Sequence, residues 1–229
     1  MTTTLKLISS MATRQLLADL IAQYQRASNQ HVTLEAVGGV DAAKRVQAGE
    51  AFDAVVLAAP AIDSLIQSGS IVAGRRFDLV KSGVAVAVRA GAPRPDVSSE
   101  AALKSAVLAA RSIGTSTGPS GVELAKLFER WGIASAIEGR IVQAPPGVPV
   151  GSLIAKGEVE LGFQQFSELM NLSGIDVLGP LPVSIQIVTT FSAGIAATSA
   201  QPDAVRTLLE FMAAPRCDAA KRANGMEPA

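Results

Sequence analysis

The chain has 229 residues, 48% hydrophobic and 17% charged, with 20 Lys and Arg against 20 Asp and Glu. A formal net charge of +0 without a basic block argues against nucleic acid as partner, because phosphate binding needs clustered Lys and Arg. No apolar run approaches the roughly 18 residues of a membrane-spanning helix, so no membrane insertion is expected, and disorder does not fit this hydrophobicity.

Short apolar strands alternate with amphipathic helices from the start. Residues 5–8 read as a strand. Leu16, Leu17, Leu20, Ile21 and Tyr24 then fall on one stripe of a helix. Residues 32–37 form the next strand, 42–48 a short helix stopped by Gly49, 52–58 a buried strand, and 62–67 a helix stopped by Gly69. This β-α-β-α-β-α order is the signature of a doubly wound, mostly parallel sheet. A strand at 83–88 leads into Arg89-Ala90-Gly91-Ala92-Pro93-Arg94-Pro95, the most Gly/Pro-rich candidate for a domain crossing. A second run repeats the logic: helix 100–110, strand 112–115, helix 121–131, strand 140–142, helix 150–156, strand 161–164. A β-rich return over 185–197 precedes two C-terminal helices, the first opened by Pro202 and the second ending before Gly225. The economical reading is two αβ lobes, residues 1–84 with 193–229 and residues 85–192.

In open α/β sheets, ligands bind beyond the carboxyl ends of strands, where loops feed helix N-termini. Four such loops are rich in small or hydroxyl residues: Ser9-Ser10-Met11-Ala12-Thr13, Gly38-Gly39-Val40-Asp41, Ser116-Thr117-Gly118-Pro119-Ser120-Gly121 and Pro145-Pro146-Gly147-Val148-Pro149. Each alone is compatible with an ordinary helix cap; Ser120 and Glu123 have capping-box spacing. Together, two from each lobe, they describe an anion site built from neutral donors, since the free N–H groups of a helix start carry about half a positive charge.

Other chemistries lack their residues. One cysteine and one histidine cannot make a structural zinc site, and no metal or cofactor is expected. Cys217 falls in a C-terminal helical pattern, where small apolar packing is its expected role. His31 precedes a strand and reads as a surface loop residue. No lysine follows the second glycine of 114–121, so a P-loop is excluded, and neither a dinucleotide fingerprint nor a nucleophile elbow occurs. Carboxylates are scattered rather than paired. No catalytic residue can be singled out; Asp41 and Lys44 adjoin a candidate loop, and Arg14 is the nearest cation to the first one.

Across nearly its whole length the sequence resembles the molybdate-binding type of bacterial ABC-transporter solute-binding protein. The resemblance rests on Leu7-Ile8-Ser9-Ser10-Met11-Ala12-Thr13, on Val46-Gln47-Ala48-Gly49-Glu50-Ala51-Phe52-Asp53-Ala54-Val55, and on Ala155-Lys156-Gly157-Glu158-Val159-Glu160-Leu161-Gly162-Phe163. The tail, with Pro215 and Asn224-Gly225-Met226-Glu227-Pro228, also fits. It implies an α/β, two-lobed type-II periplasmic-binding-protein-like fold, each lobe a mixed, mostly parallel sheet flanked by helices, with a ligand cleft between the lobes and hinge closure. It further implies a small anionic ligand and an ABC-transporter permease as partner. Carried over, Ser10 or Ser9 matches the first-loop serine, and Val148, Pro149 and Val150 match backbone donors of the second lobe. Where the family has a second-loop serine this chain has Gly39-Val40, and where it has a binding tyrosine this chain has Gln164-Gln165. Amides offer both donor and acceptor, as a carboxylic acid requires.

The candidate binding residues are therefore Ser9, Ser10, Met11, Gly38, Gly39, Val40, Ser116, Thr117, Gly118, Ser120, Gly121, Val148, Pro149, Val150, Gln164 and Gln165. The loops Ser9-Ser10-Met11, 116–121 and Phe163-Gln164-Gln165 are also similar to a subgroup related to aconitate isomerase, which implies the alternative of an enzyme shifting an allylic proton of a tricarboxylate. Met1-Thr2-Thr3-Thr4 lacks positive charge and the apolar stretch after it is too short for a secretion signal. A periplasmic location is expected if a signal has been removed, and a cytoplasmic one if Met1 is the native start.

Overall fold

The computed structural model describes residues 4–74 and 76–229; the segment 1–3, used above in judging a secretion signal, lies outside them. In chain order the elements are β1 (Leu5–Ser10), α1 (Arg14–Ala27), β2 (Val32–Val37), α2 (Gly39–Gln47), β3 (Ala54–Ala58), α3 (Ala59–Gln67) and β4 (Phe77–Arg89). There follow α4 (Glu100–Ala109), β5 (Ile113–Thr115), α5 (Pro119–Arg130), α6 (Ala134–Ile137), β6 (Ile141–Gln143), α7 (Val150–Lys156), β7 (Leu161–Gln165), α8 (Phe166–Leu169) and β8 (Ile175–Pro180). The chain ends with β9 (Val188–Ile195), α9 (Pro202–Ala213), α10 (Asp218–Ala223) and β10 (Glu227–Pro228). It divides into two compact units, the chain through Lys81 with Thr190–Ala229, and Ser82–Thr189.

In the first unit the strand order is β2-β1-β3-β9-β4. β1 runs parallel to β2 and β3, while β9 is antiparallel to β3 and β10 to β4. Helices cover both faces. The α1 stripe of Leu16, Leu17, Leu20, Ile21 and Tyr24 packs with Val205, Leu208, Leu209 and Met212 of α9 on one side; Ala42, Val46, Ile62 and Leu65 of α2 and α3 pack on the other. Each such large side chain, fully buried, stabilises the fold by about 1.5–3 kcal/mol.

In the second unit the order is β4-β7-β5-β6, with β8 also on β4. β5 is parallel to β6 and β7, and β4 is antiparallel to β7 and β8. Leu103, Val107, Leu124, Leu127 and Phe128 of α4 and α5 cover one face, and Val150, Leu153, Ile154 and Leu169 of α7 and α8 the other. Each unit is thus the mixed sheet flanked by helices that the family resemblance implied.

Several elements differ from expectation for identifiable reasons. β1 continues through Ser9 and Ser10, because all six residues pair with β2. α2 begins at Gly39 with Gly38 as its cap, and α5 begins at Pro119 with Gly118 as its cap. Ser120 therefore lies inside α5 rather than capping it, and Glu123 pairs with Lys126 instead. β4 is a single strand of 13 residues that passes from the first unit into the second, so the chain crosses inside a strand rather than in the Gly/Pro-rich stretch, and residues 89–95 fall inside the second unit. β8, half-buried and ending in Gly-Pro, carries no alternation that would announce it.

Candidate functional site

In the first unit the expected loops meet at one strand end. β1 lies between β2 and β3, so Ser9 and Ser10 sit at the carboxyl end of the sheet beside the start of α2. A Cβ placed on Gly39 would lie 3.6 Å from the Ser10 Cβ, which fixes how closely the α2 N-terminus approaches Ser10. Ser9 is fully buried and its hydroxyl donates to the Ser10 carbonyl at 3.2 Å, as does that of Thr13. The Ser10 hydroxyl is itself buried and has no partner. Buried polar atoms are nearly always hydrogen-bonded, so an orphan hydroxyl beside the unpaired N–H groups of a helix start is a specific feature. Met11 occupies the turn before α1, partly buried, and Val40 is exposed. Arg14 and Lys44 are exposed, and Asp41 stands in the first turn of α2.

In the second unit the strand ends of β5, β6 and β7 are neighbours, which assembles the remaining candidates. The Ser116 and Ser120 hydroxyls lie 3.1 Å apart, and a Cβ on Gly121 would fall 1.9 Å from the Ser116 carbonyl oxygen, so only glycine permits this turn. Thr117 and Gly118 complete the turn, partly buried. In the loop before α7 the Val148 N–H donates to the Pro145 carbonyl at 3.0 Å, and Pro149 has no N–H to offer. The Val150 N–H donates to Gln164 Oε1 at 2.7 Å. The backbone N–H groups of Val148 and Val150 are thus internally satisfied.

Gln164 and Gln165 are both 3% exposed and point to opposite faces of the sheet. Gln165 Nε2 donates to the Thr189 hydroxyl at 2.8 Å, and its Oε1 is buried without a partner. A hydroxyl can donate or accept, so turning the amide about would present NH2 in place of C=O. Gln164 Nε2 donates to Glu168 Oε1 at 2.8 Å, giving the chain Val150 N–H, Gln164 amide, Glu168 carboxyl. Burial pushes the Glu168 carboxyl up to about 7, with the Gln164 N–H pulling the other way. Such a group can take and return a proton near neutrality.

Glu168, Thr189 and Ser82, a second buried hydroxyl without a partner, were not anticipated. The only available sequence signal for Glu168 was its spacing, four residues after Gln164 across a strand-to-helix junction. A concavity of about 590 Å3 in the second unit shares Thr115 and Gly121 with the β5–α5 turn, but Glu129 and Glu138 line it and would repel an anion. Cys217 is buried, its Sγ is 3.2 Å from the Phe211 carbonyl, and burial pushes the thiol up, away from thiolate chemistry. His31 is exposed before β2. Among the described residues no group of three His, Cys, Asp or Glu could hold a metal ion, and no helix is long and apolar enough to cross a membrane.

Residues 5–227 match the family described as bacterial extracellular solute-binding protein. The chain belongs to that family. An aconitate isomerase from a Pseudomonas species is 34% identical over 232 residues, covering 99% of this chain and 88% of the relative. Among solved structures, the periplasmic molybdate-binding protein of Azotobacter vinelandii superposes with a TM-score of 0.80 at 18% identity, covering 97% of this chain and 98% of that one. The sulfate-binding protein of Mycobacterium tuberculosis gives 0.76 at 14% identity, covering 99% and 87%. These likenesses establish that this family member has the type-II periplasmic-binding-protein fold.

Proposed function

We propose that the protein binds a small polycarboxylate anion through neutral donors and interconverts its double-bond isomers, cis- and trans-aconitate being the substrate pair. The observation that carries the reading is the pair of orphaned, buried polar atoms, Ser10 Oγ and Gln165 Oε1, each at the carboxyl end of a strand where the ligand of such a fold is expected. A hydroxyl and an amide can each donate or accept, and so can each serve a carboxyl group in either ionisation state, which a bare tetrahedral oxyanion does not require. The identity shared with an aconitate isomerase along the whole chain supports the same ligand class.

A second reading is that of an uptake protein that delivers its anion to an ABC-transporter permease without changing it, working outside the cytoplasm. The family description favours it. The two differ in turnover, not in the site.

A thermal-shift panel of molybdate, tungstate, sulfate, phosphate, citrate and both aconitates tests the ligand class. A ligand at about 1,000 times its dissociation constant stabilises by roughly 4 kcal/mol, which at this size raises the melting midpoint by about 8–16 °C. A shift with the polycarboxylates is expected; a shift with molybdate or tungstate alone would replace them by an oxyanion. Proton NMR of trans-aconitate with the protein in deuterated water then separates enzyme from carrier. Appearance of the cis isomer or of deuterium in the methylene supports the first reading, and an unchanged spectrum at high protein concentration leaves the second.

A further inference from the structure

Moving the double bond of aconitate needs one group that removes a proton from the methylene carbon and another, or the same, that returns one to the carbon at the far end of the allylic system. Resting on the polycarboxylate-isomerase reading, we propose that Glu168 is this group and acts alone, as a single carboxyl that carries the proton from one carbon to the other. In this step the methylene C–H bond breaks and the proton passes to Glu168. The electron pair spreads over the allylic carbons and the attached carboxylates, and a new C–H bond forms at the far carbon with the proton that Glu168 held. Nothing is oxidised or reduced, and no co-reactant is consumed.

Geometry supports the assignment. Glu168 follows the carboxyl end of β7 directly, in the first turn of α8, and accepts from the Gln164 amide at 2.8 Å. The same amide accepts from Val150 N–H at 2.7 Å, so the carboxyl is tied to the junction of β7 and α7 and held in one orientation. Gln164 is a positioning residue in this account. Of the other ionisable side chains on the elements packed here, Lys156 is exposed in the last turn of α7, and Asp176 of β8 accepts from the Gly91 N–H at 3.3 Å. On β4, Arg89 lies by Gly157 just beyond the end of α7, Lys81 is exposed and Asp78 pairs with Arg76. Burial and the Gln164 N–H alone set where Glu168 titrates, close to neutral. That balance suits a group that must both accept and donate, because the ideal acid–base catalyst titrates near the working pH.

The test compares wild type with Glu168→Gln and Glu168→Asp, using calorimetry for trans-aconitate binding and NMR for the isomerisation rate. Glu168→Gln keeps the size of the side chain and an oxygen to accept from Gln164. It is expected to bind within about threefold of wild type and to turn over at least about 100-fold more slowly. Wild-type kcat/KM should rise with pH through about 7, and Glu168→Asp should retain partial activity with a displaced profile. Should Glu168→Gln not fold, the pH profile of wild type against Glu168→Asp decides, and identical profiles would overturn the proposal. An active wild type with an equally active Glu168→Gln overturns the assignment of Glu168 and leaves the isomerase reading intact. A wild type that binds aconitate without turnover removes the isomerase reading and the proton carrier together. One that binds no polycarboxylate removes the ligand class as well.

Discussion

Gly114 of β5 lies beside Gly162 of β7 in the parallel ladder, and Val150 of α7 packs over both. A Cβ on Gly114 would meet Val150 Cγ1 at 2.7 Å, and one on Gly162 would meet it at 2.9 Å and Ile154 Cδ1 at 2.5 Å. Two adjacent glycines thus let α7 settle against the sheet, which brings the Val150 N–H to Gln164 Oε1. Gly162→Ala should overpack this contact, lowering stability by about 1–3 kcal/mol and weakening ligand binding by pushing α7 away from Gln164. Urea denaturation and calorimetry check the two effects. An unchanged midpoint with unchanged affinity would mean that the helix has slack and that the glycine pair does not position the site.

Ser10→Ala separates a ligand donor from a structural hydroxyl. The Ser10 hydroxyl makes no hydrogen bond in the ligand-free chain, so its removal leaves no protein group unpaired and should not lower the ligand-free melting midpoint. Affinity for the polycarboxylate should fall by about 1–3 kcal/mol, the usual loss when a buried donor is removed. A variant that loses stability but not affinity would assign Ser10 to the fold.

The parts of this site that were legible in the sequence are those defined by local pattern. A strand running into two serines and a helical stripe marks Ser9 and Ser10, and the Gly38-Gly39 pair marks a close helix start. The rest depends on distant partners. Gln165 is oriented by Thr189, 24 residues away in sequence, and Glu168 titrates near neutral because the packing around the start of α8 desolvates it. Ser82 looks ordinary in sequence because the unit boundary falls inside the single strand β4, where no loop marks it. Burial by non-local packing leaves no periodicity to read.

Gln165→Leu removes an amide of similar volume and strands the Thr189 hydroxyl. It should cost about 1–3 kcal/mol of stability in the ligand-free chain, and Thr189→Val in the same background should restore part of that loss, since two matched apolar groups leave nothing buried and unpaired. Ligand affinity should stay low in the double variant. A double variant that regains affinity would show that Gln165 acts only through Thr189 and does not touch the ligand.

The pH dependence of stability carries the signature of Glu168. Its carboxyl titrates at about 7 in the folded chain, above the ordinary carboxylate value, so folding favours the protonated form. The associated stability is fully present below about pH 4.5 and is lost as pH rises through about 7, a change on the order of 3 kcal/mol. Glu160 and Asp78 act in the opposite sense and at lower pH. The Arg111 backbone N–H holds Glu160 below the usual range; burial would raise Asp78, but Arg76 and Ser192 outweigh it. Their contributions are lost only as the solution becomes acid enough to protonate them, below the window in which Glu168 titrates. Glu168→Gln mimics the protonated form at every pH. Near pH 4 the variant and wild type should melt together, and near pH 8 the variant should melt about 5–10 °C higher. Equal midpoints at both ends of that range would mean that Glu168 ionises as freely as a surface carboxylate, and would remove the physical basis for its role in proton transfer.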